Sequence, residues 1–471
     1  MLRIKIHRGT HQIGGCATEI ECDGERILID LGANLPGSNE QENISDSKLI
    51  DSVFGVNRER HFDAILFSHY HGDHYGLYKE IPQEIIQKTP MYIGSCAKQI
   101  LSIVTSYIDI NSEKKGRDII DGMKEYDRGH KICELKKMKI TPFTVDHSAL
   151  DAYMFLIEAD GKSILFTGDF REHGIANERG QLWRVLEKYV GIHIDILITE
   201  GTMLSRTNKA DENEPDDNIV QTEAELGQKA AEYFDSKKYN FVIVSSTNLD
   251  SIMEFYQNTP DNKLFICDQY QAKVLMTAME NRGKEFTQYR SKKESSGLYK
   301  KICIIGNVNN YVYRSLQKRG EALRNKGLPQ VYFKRIEDND IGDNGFVMLV
   351  RPNRFFSTNG PSRFESLFQF YRHNCKEQVN LIYSMWKGYL NGDKEDKDIT
   401  RFIDGFEYIP LHTSGHAYVE TIQKLLKKTE PRIIIPMHTE MADEFGKMEE
   451  FKQYSDRVKV LQDGEEMQIM Q

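Results

Sequence analysis

The chain has 471 residues, is 39% hydrophobic and 28% charged, and carries a formal net charge of −9. That length fits two or three domains around a sizeable core, the absence of any run of about 18 apolar residues excludes a helical membrane span, and the acidic balance argues against indiscriminate binding to nucleic-acid phosphates. Seven scattered cysteines (16, 22, 96, 133, 267, 303 and 375), none in a Cys-x-x-Cys pair, exclude a disulfide scaffold and give no pattern for a Cys-ligated zinc site.

Met1-Leu2-Arg3-Ile4-Lys5-Ile6 alternates apolar and basic residues like a first strand and lacks an apolar signal core, so a reducing, cytoplasmic setting is expected. Strands are predicted at 2–6, 17–22, 26–30, 64–67, 139–145, 152–158, 163–167 and 194–199, and helices at about 77–88, 95–108 and 181–190. Strands interleaved with helices predict sheets covered by helices. The acidic run Asp211-Glu212-Asn213-Glu214-Pro215-Asp216-Asp217 reads as a linker. Beyond it, helix 219–236, strand 241–244, helix 247–257, strand 263–267, helix 269–281, strand 302–305 and helix 311–325 alternate as in a parallel-sheet α/β unit. The charged stretch 391–398 closes that region. Strand 407–411, helix 416–428, strand 432–436, helix 440–453 and strand 458–461 follow. The expected organisation is a core of 1–201 and 396–471 interrupted by an insert at 202–395.

Strand Asp63–Ser68 runs directly into His69-Tyr70-His71-Gly72-Asp73-His74. Alternation beyond a strand end can keep His69 and His71 on one side, while a turn at Gly72 redirects Asp73 and His74. Four ligand-type side chains in six residues are costly unless cations hold them. Neutral imidazoles with a carboxylate suit a pair of zinc ions best, with manganese or iron as alternatives.

This motif resembles the signature of the metallo-β-lactamase superfamily, and the rest of that family's set follows in order. Asp30, in Ile27-Leu28-Ile29-Asp30-Leu31-Gly32, matches the supporting strand-end aspartate; His147, in Val145-Asp146-His147-Ser148, the third histidine; Asp169, in Leu165-Phe166-Thr167-Gly168-Asp169-Phe170, the bridging aspartate. Glu200, in Ile198-Thr199-Glu200-Gly201-Thr202, together with Pro410-Leu411-His412-Thr413-Ser414-Gly415-His416 and Pro436-Met437-His438, is similar to the motifs of the β-CASP nucleases, most closely the ribonuclease J family. The implied fold is α/β: a metallo-β-lactamase αββα sandwich with an inserted parallel-sheet α/β β-CASP cap.

The resemblance implies one divalent metal ion on His69, His71 and His147, a second on Asp73, His74 and His438, and Asp169 bridging them, with Asp30 behind the imidazoles. It implies phosphodiester hydrolysis by a hydroxide of the dinuclear centre, with His416 as general acid, Glu200 fixing its tautomer, and His412 against the scissile phosphate. A histidine at the position of His438 goes with RNA-processing members, so RNA is favoured over DNA. Phe241-Val242-Ile243-Val244-Ser245-Ser246-Thr247-Asn248 resembles a cap segment that meets RNA phosphates; a helix N-cap is the alternative reading of Ser245 and Ser246.

Residues 282–335 hold 14 Lys/Arg against three Glu, with seven Tyr/Phe interleaved. Basic residues among stacking platforms suit single-stranded RNA; a solvated helix face is the alternative. Ribonuclease J of bacteria carries an additional C-terminal domain that supports dimerisation. With the chain ending 33 residues after His438, that domain is not expected here and the oligomeric state stays open. The long segment Gln41–Arg60 has no assigned role. Competing readings are a DNA-directed nuclease, a small-molecule ester or thioester hydrolase, and an inactive nucleic-acid-binding subunit.

Overall fold

The computed structural model describes residues 1–471 apart from 36–43, 110–115, 127–128, 133–134, 178–179, 192, 208–219, 291–300, 329–330, 338–340, 342–344, 353–362, 393–394 and 470–471, and apart from the side chains of 282–290. The described chain runs first through ten strands: β1 Leu2–Arg8, β2 Ala17–Cys22, β3 Glu25–Ile29, β4 Ala64–Leu66, β5 Met91–Ile93, β6 Lys124–Glu125, β7 Met138–Val145, β8 Ala152–Ala159, β9 Lys162–Phe166 and β10 Ile196–Glu200. Seven more follow: β11 Tyr239–Val244, β12 Leu264–Cys267, β13 Ile302–Ile305, β14 Phe333–Ile336, β15 Phe346–Val350, β16 Val379–Ser384 and β17 Ile409–Pro410. The last are β18 Ile433–Met437 and β19 Glu466–Ile469.

The chain divides into two compact units, one of Met1–Glu172, Ala176–Pro215 and Gly415–Gln471, the other of His173–Ile175 and Asp216–Ser414. The first holds a seven-stranded sheet in the order β19-β1-β2-β3-β4-β5-β6 and a five-stranded sheet in the order β18-β10-β9-β8-β7. Side-chain alternation along the second sheet explains its layering. Phe155, Ile157, Ile164, Phe166, Ile196, Ile198, Ile435 and Met437 enter a core shared with Leu2, Ile4, Ile20, Ile27, Ile29 and Leu66 of the first sheet. The residues between them, Met154, Leu156, Leu165, Leu197 and Ile434, enter a second core with Leu182, Trp183 and Leu186 of helix Gln181–Tyr189 and Ile422, Leu425 and Leu426 of helix Val419–Thr429. Both faces of that sheet are therefore buried. Helix Asp46–Phe54 lies on β1.

The segment that had no assigned role in the sequence is thus partly structural. Arg8, fully buried, is bonded from Nη1 to Asp46 Oδ1 (2.9 Å), from Nε to the Gly15 carbonyl (2.7 Å) and from Nη2 to the Gly32 carbonyl (2.6 Å). One guanidinium ties the start of that helix to the two loops that approach the metal motif.

The second unit is a seven-stranded sheet, all parallel, in the order β14-β13-β12-β15-β11-β16-β17. Every residue of β11, β13, β15 and β16 is buried, as expected of strands covered by helices on both faces. Its boundaries differ from the expected 202–395. Leu204–Thr207 belongs to the first unit, and residues 396–414 join the second because β17 pairs in parallel with β16 (Ile382 with Ile409). Three predicted elements also differ. Pro82 splits 77–88 into a turn of 3-10 helix, Tyr78–Glu80, and helix Gln83–Lys88. The stretch 440–453 holds the short helix Ala442–Phe445 and the start of the 3-10 helix Lys452–Arg457 rather than one continuous helix. The terminal strand is Glu466–Ile469 rather than 458–461, where Val458 makes an isolated bridge to Ile434.

Candidate metal centre

Within the first unit, β3 and β4 are parallel neighbours, and so are β9, β10 and β18. Their carboxyl ends therefore share an edge, where ligands gather in sheets of this kind. Asp30 follows β3, His69 to His74 follow β4, Asp169 follows β9, Glu200 ends β10 and His438 follows β18, while His147 follows β7. Asp30 (φ 63°) and His438 (φ 51°) both sit in the left-handed region, which turns each chain sharply as it leaves its strand. His71 caps the one-turn helix Gly72–Tyr75 that carries Asp73 and His74. This turn rests on its neighbours: the Cys16 N–H donates to the Asp73 carbonyl (3.0 Å) and the Leu31 N–H to the His74 carbonyl (2.7 Å). A Cβ on Gly32 would fall inside the contact radius of that Asp73 carbonyl, so glycine is required there by close approach.

The hydrogen bonds fix which imidazole nitrogen is free. Ser68 donates its hydroxyl to Asp30 Oδ2 (2.8 Å), so Ser68 Oγ accepts from His69 Nδ1 (3.0 Å) and leaves His69 Nε2 with a lone pair. His74 Nδ1 donates to Asp30 Oδ2 (2.8 Å), and His147 Nδ1 donates to the Gly415 carbonyl (2.6 Å). His438 Nδ1 is paired with Thr202 Oγ1 (2.7 Å). Each arrangement turns an Nε2 inward. His147 Nε2 lies 3.0 Å from His71 Nδ1, and His438 Nε2 lies 3.2 Å from Asp73 Oδ2. His74 Nε2 is 3.2 Å from Asp169 Oδ2, and His69 Nε2 is 3.8 Å from it.

His69 Nε2, His74 Nε2 and both Asp169 carboxylate oxygens are buried without a hydrogen-bond partner. Orphaned acceptors of this kind are rare because each costs about 1–3 kcal/mol. A cation satisfies several at once, and the donor set of imidazoles with carboxylates suits a divalent one. Ligand atoms of His69, His71 and His147 fall within 4.8 Å of one another, as do those of His69, His74 and Asp169. The residues present fit a dinuclear centre.

Electrostatics agree with neutral imidazoles on one side. Burial, reinforced by the neighbouring histidines, pushes His69 and His147 well below the ordinary imidazole value, and burial brings His71 to about 4. For His74, burial acts downward but Asp169, Asp73 and Asp30 outweigh it and hold the ring well above its ordinary value. Burial works against the charges of Asp73 and Asp169, yet the surrounding histidines keep both carboxyls below the usual range. Burial and the same carboxylates push the thiol of Cys16 up.

Glu200 Oε2 takes a hydrogen bond from His416 Nδ1 (3.0 Å), while its Oε1 accepts the Phe170 N–H (2.9 Å). His416 is therefore held through Nδ1. Burial lowers its pKa, but Glu200 and Asp169 outweigh burial and raise it. All seven expected ligands, Asp30, Glu200 and His416 thus converge in the first unit. His412, Ser245 and Ser246 belong to the second. Ser245 Oγ meets Thr247 Oγ1 (3.1 Å) and Ser246 Oγ meets Tyr270 Oη (3.2 Å). Neither serine caps the following helix Leu249–Asn258, whose N-cap is Asn248.

Of the basic stretch, 291–300 and the side chains of 282–290 lie outside the described residues. The remainder exposes Lys301, Tyr311, Arg314, Lys318, Arg324, Lys326, Tyr332 and Lys334, and Arg335 stacks on Tyr313 with its guanidinium carbon 4.3 Å from the ring centre. Sequence reasoning assigned no role to Ser68, Thr202, the Gly415 carbonyl or Cys16. Ser68 adjoins the metal motif, but neither a lone hydroxyl nor a carbonyl carries a spacing signal.

The family described as "Beta-lactamase superfamily domain" matches residues 26–234. The chain is 29% identical over 209 residues to an "RNase J-like protein" of Methanocaldococcus jannaschii, covering 43% of each chain. It is 22% identical over 459 residues to "Ribonuclease J" of Helicobacter pylori, covering 92% of this chain and 55% of that one. Against "Endoribonuclease ysh1" of Aspergillus fumigatus it is 25% identical over 217 residues, covering 42% of this chain and 23% of that one. The chain thus spans about half or less of the length of these relatives. A crystal structure of a protein of unknown function from Enterococcus faecalis V583 has the same fold, with a TM-score of 0.66 at 18% identity over 99% of both chains. With its metal-type cluster at the strand ends of a two-sheet sandwich, the chain carries a domain of the metallo-β-lactamase superfamily and is a relative of the β-CASP nucleases.

Proposed function

We propose that the chain is a metal-dependent nuclease that hydrolyses phosphodiester bonds of RNA. The observation that carries this reading is the set of buried, unpartnered acceptors on His69, His74 and Asp169 beside the Glu200–His416 pair. His69, His71 and His147 would hold one divalent cation and Asp73, His74 and His438 the other, with Asp169 between them. Zinc fits this donor set best, with manganese second. Such a pair, when bound, supplies an activated water and Lewis acidity at phosphate oxygens.

The chain's own residues do the rest. Asp30, Ser68, Thr202 and the Gly415 carbonyl fix ring tautomers, so that free nitrogens face inward without rearrangement. His416, steered by Glu200, presents Nε2 to the leaving sugar oxygen and delivers a proton there as general acid. We assign His412, Ser245 and Ser246 to contacts with substrate phosphates, and the exposed basic and aromatic residues of 301–335 to a single-stranded RNA backbone. The described cysteines Cys16, Cys22, Cys96, Cys267, Cys303 and Cys375 are free thiols, in keeping with action in a reducing, cytoplasmic compartment. Among the described residues, no helix is long and apolar enough to cross a membrane.

The test is metal analysis of the purified protein combined with cleavage of 5′-labelled RNA and DNA oligonucleotides of one sequence. RNA cleavage that is abolished by a chelator and restored by zinc or manganese supports the reading. Cleavage of DNA alone favours the DNA-directed alternative, and a metal-replete protein that cuts neither overturns the assignment.

A further inference from the structure

The spacing of the cysteines gave no pattern for a sulfur-ligated metal, yet the fold brings one thiol to the centre. Cys16 lies in the connection between β1 and β2 and is fully buried. Its N–H donates to the Asp73 carbonyl (3.0 Å) and its carbonyl accepts the Gly32 N–H (2.9 Å), so its backbone is clamped between the metal motif and the exit of β3. Its Sγ and ligand nitrogens of His74 and His438 lie within 4.8 Å of one another, and it is the only cysteine in such a group among the described residues.

Two further observations show that this location is built. Gly9 (φ 109°) leaves room for the sulfur: a Cβ there would stand 3.1 Å from Sγ, and the Gly9 carbonyl also accepts the His438 N–H (2.6 Å). One glycine therefore positions both the thiol and the late histidine. Independently, His74 Nε2 is buried with no hydrogen-bond partner and stands 3.2 Å from Asp169 Oδ2, in the acidic surroundings that a cation would neutralise.

We propose that Cys16 is a sulfur donor to the cation that Asp73, His74 and His438 would hold, an inference that rests on the metal-centre reading above. On binding, the S–H bond breaks, the sulfur lone pair passes to the cation and the proton leaves to solvent; no oxidant or reductant is involved. Soft sulfur favours zinc or cobalt over manganese, so the thiol makes this position selective where nitrogen and oxygen ligands alone would be more permissive.

The experiment titrates the metal-depleted full chain with Co²⁺ and records its absorption. Nitrogen and oxygen ligands produce ligand-field bands in the visible; a thiolate adds an intense sulfur-to-cobalt charge-transfer band in the near ultraviolet. Both are expected in the unmodified chain. Cys16→Ser should keep the visible bands, lose the near-ultraviolet band and shift zinc-over-manganese preference by about tenfold toward manganese. Cys16→Ala repeats the test if serine disturbs folding, which circular dichroism monitors. X-ray absorption of the zinc-loaded unmodified chain needs neither variant and should show a zinc–sulfur shell at about 2.3 Å. Visible bands without the near-ultraviolet band, or no zinc–sulfur shell, overturn the proposal and leave the metal centre standing. Failure to take up cobalt at all removes the metal centre, and this proposal with it.

Discussion

Asp30 Oδ2 accepts the Nδ1 hydrogen of His74 at 2.8 Å while Oδ1 of the same carboxylate accepts the Ser68 N–H at 2.7 Å. The carboxylate itself touches no proposed metal position, but it locks one imidazole directly and a second through Ser68. Asp30→Asn tests this cleanly, because asparagine also tolerates the left-handed backbone found there (φ 63°). Folding should be retained and metal affinity should fall roughly 10–100-fold, read by competition with a calibrated chelator. Unchanged affinity would remove Asp30 from the support of the site.

His416 and Asp169 lie 3.5 Å apart yet should fail in different ways. His416→Ala is expected to keep its metal and lose about 10²–10⁴ in turnover, as for loss of a general acid. Asp169→Ala should lose metal, and activity with it. Metal content measured alongside single-turnover cleavage separates the two. A fully active His416→Ala protein would exclude the general-acid role.

Away from the site, His7 and Glu19 form a buried pair, Nε2 to Oε2 at 2.8 Å. Burial lowers the His7 pKa despite the pull of Glu19; for Glu19, burial acts upward but His7, Arg60 and Arg26 outweigh it and lower the carboxyl. The unfolded chain therefore protonates its imidazole first, and stability declines as pH falls below about 6.5. Glu19 contributes stability that is present above about 4.3, and that contribution is lost on further acidification through its folded value. Urea denaturation of His7→Gln between pH 7 and 5 should show a flatter pH dependence than the unmodified chain; an identical slope would mean that His7 does not titrate with folding.

Arg314, Lys318 and Lys334 are exposed in the second unit. Replacing all three with glutamine should weaken single-stranded RNA binding and reduce the slope of log K against log salt by about 2, near 0.7 for each lost phosphate contact. Fluorescence anisotropy across a salt series measures both. An unchanged slope would make this surface an ordinary solvated face.

Much of the candidate metal centre was legible because its donors are dense: four in six residues after a strand of Ala, Ile and Leu leave few alternatives, and Asp30, Asp169 and His438 each follow an apolar run. Ser68 and Thr202 were not, since a single hydroxyl carries no spacing signal until its partner is known. The late boundary was misjudged for a related reason. The charged run 391–398 resembled a linker, whereas β17 is two residues long and has no periodicity, yet it pairs with β16 and residues 396–414 fall in the second unit. Phe346–Val350 is a continuous apolar run, which periodicity does not separate from buried helix.

The pairing of β10 with β18 joins Ile196–Glu200 to Ile433–Met437, and the turn that follows delivers His438. Contacts so distant along the chain form late, and synthesis proceeds from the amino end. A nascent polypeptide therefore carries six of the seven proposed ligands long before the seventh has been translated. Under the nuclease reading, the catalytic centre closes only after residue 438 has been made, so an unfinished chain on the ribosome that stops short of it holds an incomplete centre beside its own transcript.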